Sequence, residues 1–166
     1  NVHYDHEVLP NMEAQKTPAH LMCTASIAGL RAGMAVNPPY FASKHAAVSV
    51  AESVKAEVES TGCDIGVSVF CPMYVATDIH NCEKHRPARF WDASDPFYRS
   101  EEYIKAREAF RDNVTGGMPL DNIGKRLFQA IEDNQMYIVT HTQTIPYIEE
   151  RHRAIEADAK KELELS

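Results

Sequence analysis

The chain has no apolar run near the roughly 20 residues that a membrane-spanning helix needs, and its N-terminus lacks the charged-then-apolar layout of a secretory leader. It has no excess of basic residues either: 17 Lys and Arg stand against 24 Asp and Glu, a formal net charge of -7. A general nucleic-acid or anionic-membrane binder needs a basic face to meet phosphates, so neither partner is expected. Seven Gly and nine Pro, scattered over 166 residues, exclude a collagen-like or low-complexity chain. The four cysteines, Cys23, Cys63, Cys71 and Cys82, include no Cys-x-x-Cys pair and lack the secreted context that favours disulfides. What is present, 44% hydrophobic and 25% charged residues, reads as a soluble cytoplasmic protein with a core that needs no disulfide or metal staple.

Periodicity organises the rest. Residues 2–15 read as an amphipathic helix with Val2, His6, Leu9 and Met12 near one stripe, and Pro10 is expected to kink it. His20 to Ser26 is a short apolar run ending in small polar residues, a buried strand. Residues 27–39 hold Gly29, Gly33 and a double Pro and read as a loop. Residues 40–60 turn helical, with Ala47, Val50, Ala51, Val54 and Val58 at three- and four-residue steps and Gly62 as the C-cap. Ile65 to Cys71 is a second buried strand, followed by an irregular region over 73–99. Helices are expected over 100–114 and 119–134, a third strand over 136–140, and a charged helix from Pro146 with Glu149–Arg153 and Glu156–Lys160 in the favourable order. Strands joined by such helices imply parallel crossovers and an α/β sheet, and their unbroken apolar runs imply cover on both faces. There is no internal repeat and no linker.

Few residues carry chemistry. His80, Cys82 and His85 have no second ligand pair and read as a polar surface stretch, so no metal site is expected. His3 and His6 read as a solvated face. Ser26, Tyr40 and Lys44 differ because they stand at a strand end and a helix start. Tyr40 and Lys44, four apart, share a helical face. A phenol is a poor proton carrier at neutral pH unless its anion is stabilised. An ammonium one turn away and the positive end of a helix dipole both supply that stabilisation, which suits general acid–base work. Ser26 is then placed to hold the oxygen that gains or loses the proton.

Around these residues stand Thr24-Ala-Ser-Ile-Ala-Gly-Leu30, Tyr40-Phe-Ala-Ser-Lys-His-Ala46, and Val67-Ser-Val-Phe-Cys-Pro72 with Thr77. In this text the sequence resembles the short-chain dehydrogenase/reductase family, of its classical type, in register from about residue 9 to about residue 142. The resemblance implies strands five, six and seven of a Rossmann-like, parallel three-layer α/β sandwich. Residues 1–166 would then be the C-terminal part of one dinucleotide-binding domain, an incomplete doubly wound sheet. It implies hydride transfer between NAD or NADP and an alcohol or carbonyl substrate. Tyr40 would be the acid/base and Ser26 the residue that orients the substrate oxygen. Lys44 would stabilise the Tyr40 anion and bond the nicotinamide ribose. Pro72, Met73 and Thr77 match the turn that holds the nicotinamide. Residues 78–117 would form a lid over the substrate, with Phe90, Trp91, Phe97 and Tyr98 as an apolar pocket wall suited to a bulky hydrophobic alcohol or ketone. Helices 2–15 and 40–60 would make a homo-oligomer interface, Ala47 and Ala51 permitting close approach.

Departures qualify the likeness. The step from Ser26 to Tyr40 is fourteen positions, about one more than usual. Met73 stands where the family has Gly. The glycine-rich phosphate turn, the Asn-Ala-Gly strand and the helix Asn of the catalytic tetrad all fall before residue 1 in this register. Thr61-Gly62-Cys-Asp-Ile-Gly66-Val-Ser68 imitates the phosphate turn, but a cradle needs strand, turn, helix in that order, and here the order is helix, turn, strand. The residue that separates NAD from NADP normally ends the second strand, which is not in this sequence. The expectation is a dehydrogenase segment that is inactive without an N-terminal half. The alternatives are a non-catalytic interaction module of the same descent and, last, an enzyme built from this segment alone.

Overall fold

Proline marks where two of the helices begin. Its fixed φ and missing N–H suit the first turn of a helix, where that N–H would have no partner. Pro10 stands there in α1 (Leu9–Gln15), as Pro38 and Pro39 do in α2 (Pro38–Thr61). The structure, a computed structural model, describes residues 7–34, 37–92 and 94–163. Of the helix expected over 2–15, residues 2–6 lie outside the described residues; Glu7 and Val8 form a π-helical turn that runs into α1, and Pro10 stands in the first turn of the α-helical part. Gly62, in the left-handed region at φ 69, ends α2 as the sequence predicts.

The strands β1 (Ala19–Thr24), β2 (Ile65–Cys71) and β3 (Tyr137–Val139) are parallel and lie in the order β1-β2-β3. The register sets Leu21 beside Val67, Cys23 beside Val69 and Phe70 beside Ile138. Alternation then sorts the two faces. On one face Leu21, Ile65 and Val67 close a cluster with Leu9 of α1 and Val54 and Val58 of α2. Cys23, Val69 and Cys71 close a second with Val48 and Ala51. Fully burying one such valine contributes roughly 1.5–3 kcal/mol. On the other face Ser68 and Ile138 are buried and Phe70 nearly so, as strands covered on both sides require. Ala51 is completely buried against the sheet, and Ala47 packs on the same cluster. The chain's own core therefore uses the two alanines that the sequence suggested for a subunit interface. Tyr137 donates to Glu52 at 2.6 Å, tying β3 to α2 and pushing the phenol up to about 12.

The chain packs as two compact units, Asn1–Met73 with Arg126–Ser166, and Tyr74–Lys125. The second unit gives the irregular region more order than its sequence suggests. Short 3-10 turns over Asp78–His85, Ala88–Phe90 and Pro96–Arg99 lead to α3 (Glu101–Thr115), capped by Ser100. The Arg86 guanidinium lies over Trp91 and Tyr98, whose rings are 4.7 Å apart, and donates to the Tyr98 hydroxyl at 2.8 Å. Tyr103 meets Phe97 and Tyr98 at 5.2 and 5.3 Å. Of the residues read as a pocket wall, Tyr98 meets Trp91 at a tilt and Phe97 edge to face, while Trp91, Phe97 and Phe90 stay 44%, 53% and 63% exposed. His80 bonds the Thr77 carbonyl and Cys82 is exposed. Among the described residues no three His, Cys, Asp or Glu side chains are grouped to hold a metal, and no helix is long and apolar enough to cross a membrane.

α4 (Leu120–Glu132) and α5 (Ile145–Leu163) complete the chain. On α5 the exposed pairs Glu149–Arg153 (3.4 Å) and Glu156–Lys160 (3.8 Å) form as predicted. A polar contact crosses the second face of the sheet. The Ser68 hydroxyl donates to the Gln135 carbonyl at 2.6 Å and lies 2.8 Å from His20 Nε2, so the His20 ring must donate there. Burial, with Lys55 as a smaller cause, holds His20 below its ordinary value of 6.5. Below that pH the unfolded chain takes up the proton first, so stability falls on acidification until the folded form titrates. The urea midpoint is expected to drop between pH 7.5 and 5.5, and His20→Gln to flatten that drop. His141, lowered by its own burial, keeps a share of the slope. An unchanged slope in the variant would show that His20 has no such part.

Candidate active site

Ser26 lies two residues beyond the end of β1, extended at φ -175, and caps the 3-10 turn Ile27–Gly29. Its hydroxyl accepts the Ala28 N–H at 3.2 Å and donates to the Pro72 carbonyl at 3.4 Å. The same carbonyl accepts the Ile27 N–H at 2.9 Å, so the ends of β1 and β2 are stitched together at this point. The bond from Ser26 to Pro72 is long, and its hydrogen is held weakly enough to turn to another oxygen. Beneath the turn lies the Cys71 thiol, completely buried. Burial pushes it up to about 11, while the Ser26 backbone N–H bonded to its sulfur and the nearby Lys44 charge act against that rise. Cys71 is a neutral thiol that satisfies the Ser26 amide.

Tyr40 is the third residue of α2, where the unpaired N–H groups of the first turn concentrate positive charge. It is 40% exposed, so its hydroxyl is open to an incoming ligand. Lys44 Nζ lies 5.6 Å from its ring centroid, which confirms the shared face. Lys44 forms no ion pair among the described residues.

One residue that sequence reasoning passed over joins the two halves of this arrangement. A Cβ on Gly29 would lie 2.5 Å from the Lys44 carbonyl oxygen and 2.8 Å from Val48 Cγ2. The turn that carries Ser26 therefore rests on the backbone of α2 at Lys44, and only glycine fits. The available signal was a lone Gly three residues after a strand-ending Ser and before a helix. Cys71 ends a run that reads as a buried strand, and it is buried, but its bond to Ser26 has no signature in the sequence.

Pro72 is half-buried at the end of β2, and Met73 beside it is 37% exposed. Lys16 and Asn134 are the positive-φ non-glycine residues described, so the backbone at Met73 does not need the glycine that the family places there. Thr77 lies in the second unit, where its hydroxyl accepts the Ile79 N–H at 3.4 Å and caps the turn Asp78–His85. Thr61 to Ser68 runs helix, turn, strand, so it forms a connection and no phosphate cradle.

For a nicotinamide the fit is half present. An unpaired ammonium at Lys44, a phenol at Tyr40 and a hydroxyl at Ser26 suit its ribose end and the reacting oxygen. The described residues offer no glycine turn opening a helix for its pyrophosphate.

Comparison with known proteins agrees. The model of the family described as short chain dehydrogenase matches residues 2–87. A CLA biosynthesis dehydrogenase/reductase from Lactiplantibacillus plantarum is 40% identical over 160 residues, 95% of this chain and 55% of that protein. A C alpha-dehydrogenase from a Sphingobium species is 26% identical over 147 residues, 89% of this chain and 46% of that protein. Among solved structures, a short chain dehydrogenase/reductase from Burkholderia phymatum in complex with NAD superposes with a TM-score of 0.81 at 30% identity, over 95% of this chain and 55% of its own. The chain thus spans about half the length of the curated relatives it matches.

Proposed function

The chain belongs to the short-chain dehydrogenase family, and we propose that it is the catalytic part of an oxidoreductase that moves a hydride between NAD or NADP and an alcohol or carbonyl carbon. The observation that supports this reading is the seating of the Ser26 turn on α2 at Lys44, one helical turn from Tyr40. Tyr40 gives a proton to the carbonyl oxygen in reduction or takes it from the hydroxyl in oxidation. Ser26 turns its hydroxyl from Pro72 to hold that oxygen in place. Lys44 stabilises the Tyr40 anion and bonds the ribose of the cofactor. When bound, the cofactor supplies or accepts the hydride. By the family resemblance Pro72 and Met73 take part in holding the nicotinamide.

A homo-oligomer belongs to the same proposal. The outward face of α2 is lined by Ala42, Ala46, Ser49, Ser53, Ala56 and Ser60, all exposed and all small, at helical spacing. That stripe would admit a second helix at close range. Its position replaces Ala47 and Ala51, which the core has taken. A cytoplasmic location is the compartment we assign, since it supplies the nicotinamide cofactors.

The test is calorimetric titration of NAD and of NADP into this chain, alone and mixed with a family N-terminal half carrying the glycine-rich turn. Binding is expected only in the mixture. Tight binding by the isolated chain would show that the pyrophosphate is recognised here and would overturn the division of labour. No binding in either arm, with the two halves shown to associate, would overturn the cofactor reading itself.

A further inference from the structure

Arg31 closes the turn that Ser26 opens, its backbone N–H donating to the Ile27 carbonyl at 3.3 Å. Its side chain is half-buried, with the guanidinium carbon 4.4 Å from the ring centroid of Tyr147 in the first turn of α5. Arg31 follows the carboxyl end of β1, and Tyr147 follows that of β3. Ser26 and Pro72 lie on the same rim, and open α/β sheets bind their ligands outside that edge. Stacking on the ring fixes the guanidinium plane and strips part of its water. The stack leaves Arg31 Nε buried without a hydrogen-bond partner, a state native side chains seldom keep without a reason. Acidic residues outnumber basic ones 24 to 17, yet Arg31 forms no ion pair among the described residues. Its two terminal amino groups remain as the donors open to an outside acceptor, in the fork that matches a carboxylate.

We infer that Arg31, held on Tyr147, receives the carboxylate of the substrate, so that the enzyme acts on hydroxy acids and oxo acids in preference to neutral alcohols and ketones. The inference rests on the hydride-transfer reading above and deepens it by giving the substrate a charge. A desolvated arginine gains more from an anion than a solvated one does, because the local dielectric is lower. An anion at this rim also meets no repulsion from an ion-paired acid, since none is seated on Arg31.

The experiment uses the complete enzyme with its preferred cofactor and a series of oxo acids of graded chain length, each paired with its methyl ester. For the best acid, KM is expected at least tenfold below that of its ester. Arg31→Gln is expected to raise the KM of the acid ten- to a hundredfold and to leave the ester within twofold in both KM and kcat, which also shows that the variant folds. Arg31→Lys keeps the charge without the fork and should recover part of the loss. The KM values of NAD and NADP should not move, which places the anion on the substrate and not on a cofactor phosphate. Equal KM for acid and ester in the parent enzyme, or equal changes for both in Arg31→Gln, would overturn the inference. Should no member of the series turn over, titration of the longest acid and its ester into the enzyme–cofactor complex decides the two readings separately. Acid-selective binding that Arg31→Gln removes would leave the anion site standing and overturn only the hydride-transfer reading. Binding without acid selectivity, or none, would overturn the anion site.

Discussion

Tyr40→Phe in the complete enzyme is expected to lower kcat by about a hundred- to ten-thousand-fold, the range that a positioned general acid or base contributes. Cofactor affinity should stay within a few-fold. The substitution removes one oxygen and little else. The Tyr40 ring meets Phe41 edge-on at 6.3 Å, and Lys44 Nζ lies 5.6 Å from its centroid, and a phenyl ring preserves both contacts. Its side chain is 40% exposed, so no buried hydrogen bond is lost when the hydroxyl goes, and the first turn of α2 is still opened by Pro38 and Pro39. A loss of rate with an unchanged melting temperature and an unchanged cofactor Kd would therefore belong to proton transfer. Unchanged kcat would sink the assignment and leave Tyr40 as a surface residue on a helix, with the proton carried by another group.

Much of this arrangement was legible in the sequence because it rests on local rules. Continuous apolar runs at Ile65–Cys71 and before Ser26 give strands with two covered faces, and the step from Ala47 to Val58 gives the buried side of α2. Gly62 and the double proline mark the ends of α2 by backbone sterics alone. Position in the chain also places Tyr40 and Lys44 on one face, since four residues is close to one helical turn. Contacts between segments far apart were not legible. The Ser26 amide finds Cys71 only when β1 and β2 pair in register, and Arg31 finds Tyr147 only across the width of the sheet. Ala51 illustrates the same limit in reverse. Small size says that something approaches closely, but cannot say whether it is the chain's own sheet or a second subunit.

Gly29→Ala is the other substitution with a large expected effect, here on stability and geometry together. The new Cβ would sit 2.5 Å from the Lys44 carbonyl oxygen, well inside any contact that a methyl group tolerates, and 2.8 Å from Val48 Cγ2. Neither neighbour is the free end of a flexible side chain. The oxygen belongs to the backbone of α2, and Val48, 5% exposed, is fixed by the core around Cys23 and Val69. Something must shift, and overpacking of this kind costs roughly 1–3 kcal/mol. At roughly 2–4 °C per kcal/mol for a domain of this size, the loss is readable as a melting shift. Relief has only two routes: the turn that carries Ser26 lifts off α2, or the start of α2 moves away from the turn. Both change the distance from the Ser26 hydroxyl to the face shared by Tyr40 and Lys44, so kcat should fall with stability even though no reacting group has been altered. Gly33→Ala is the matched control, because a Cβ there meets nothing within 4 Å and the backbone is not in the left-handed region. It should be neutral in melting temperature and rate. If the two alanine variants behave alike, the loop between Ser26 and Tyr40 is not seated on α2 as described. If only Gly29→Ala loses rate, the distance between a serine turn and a helix start, set by one missing methyl group, is what the site depends on.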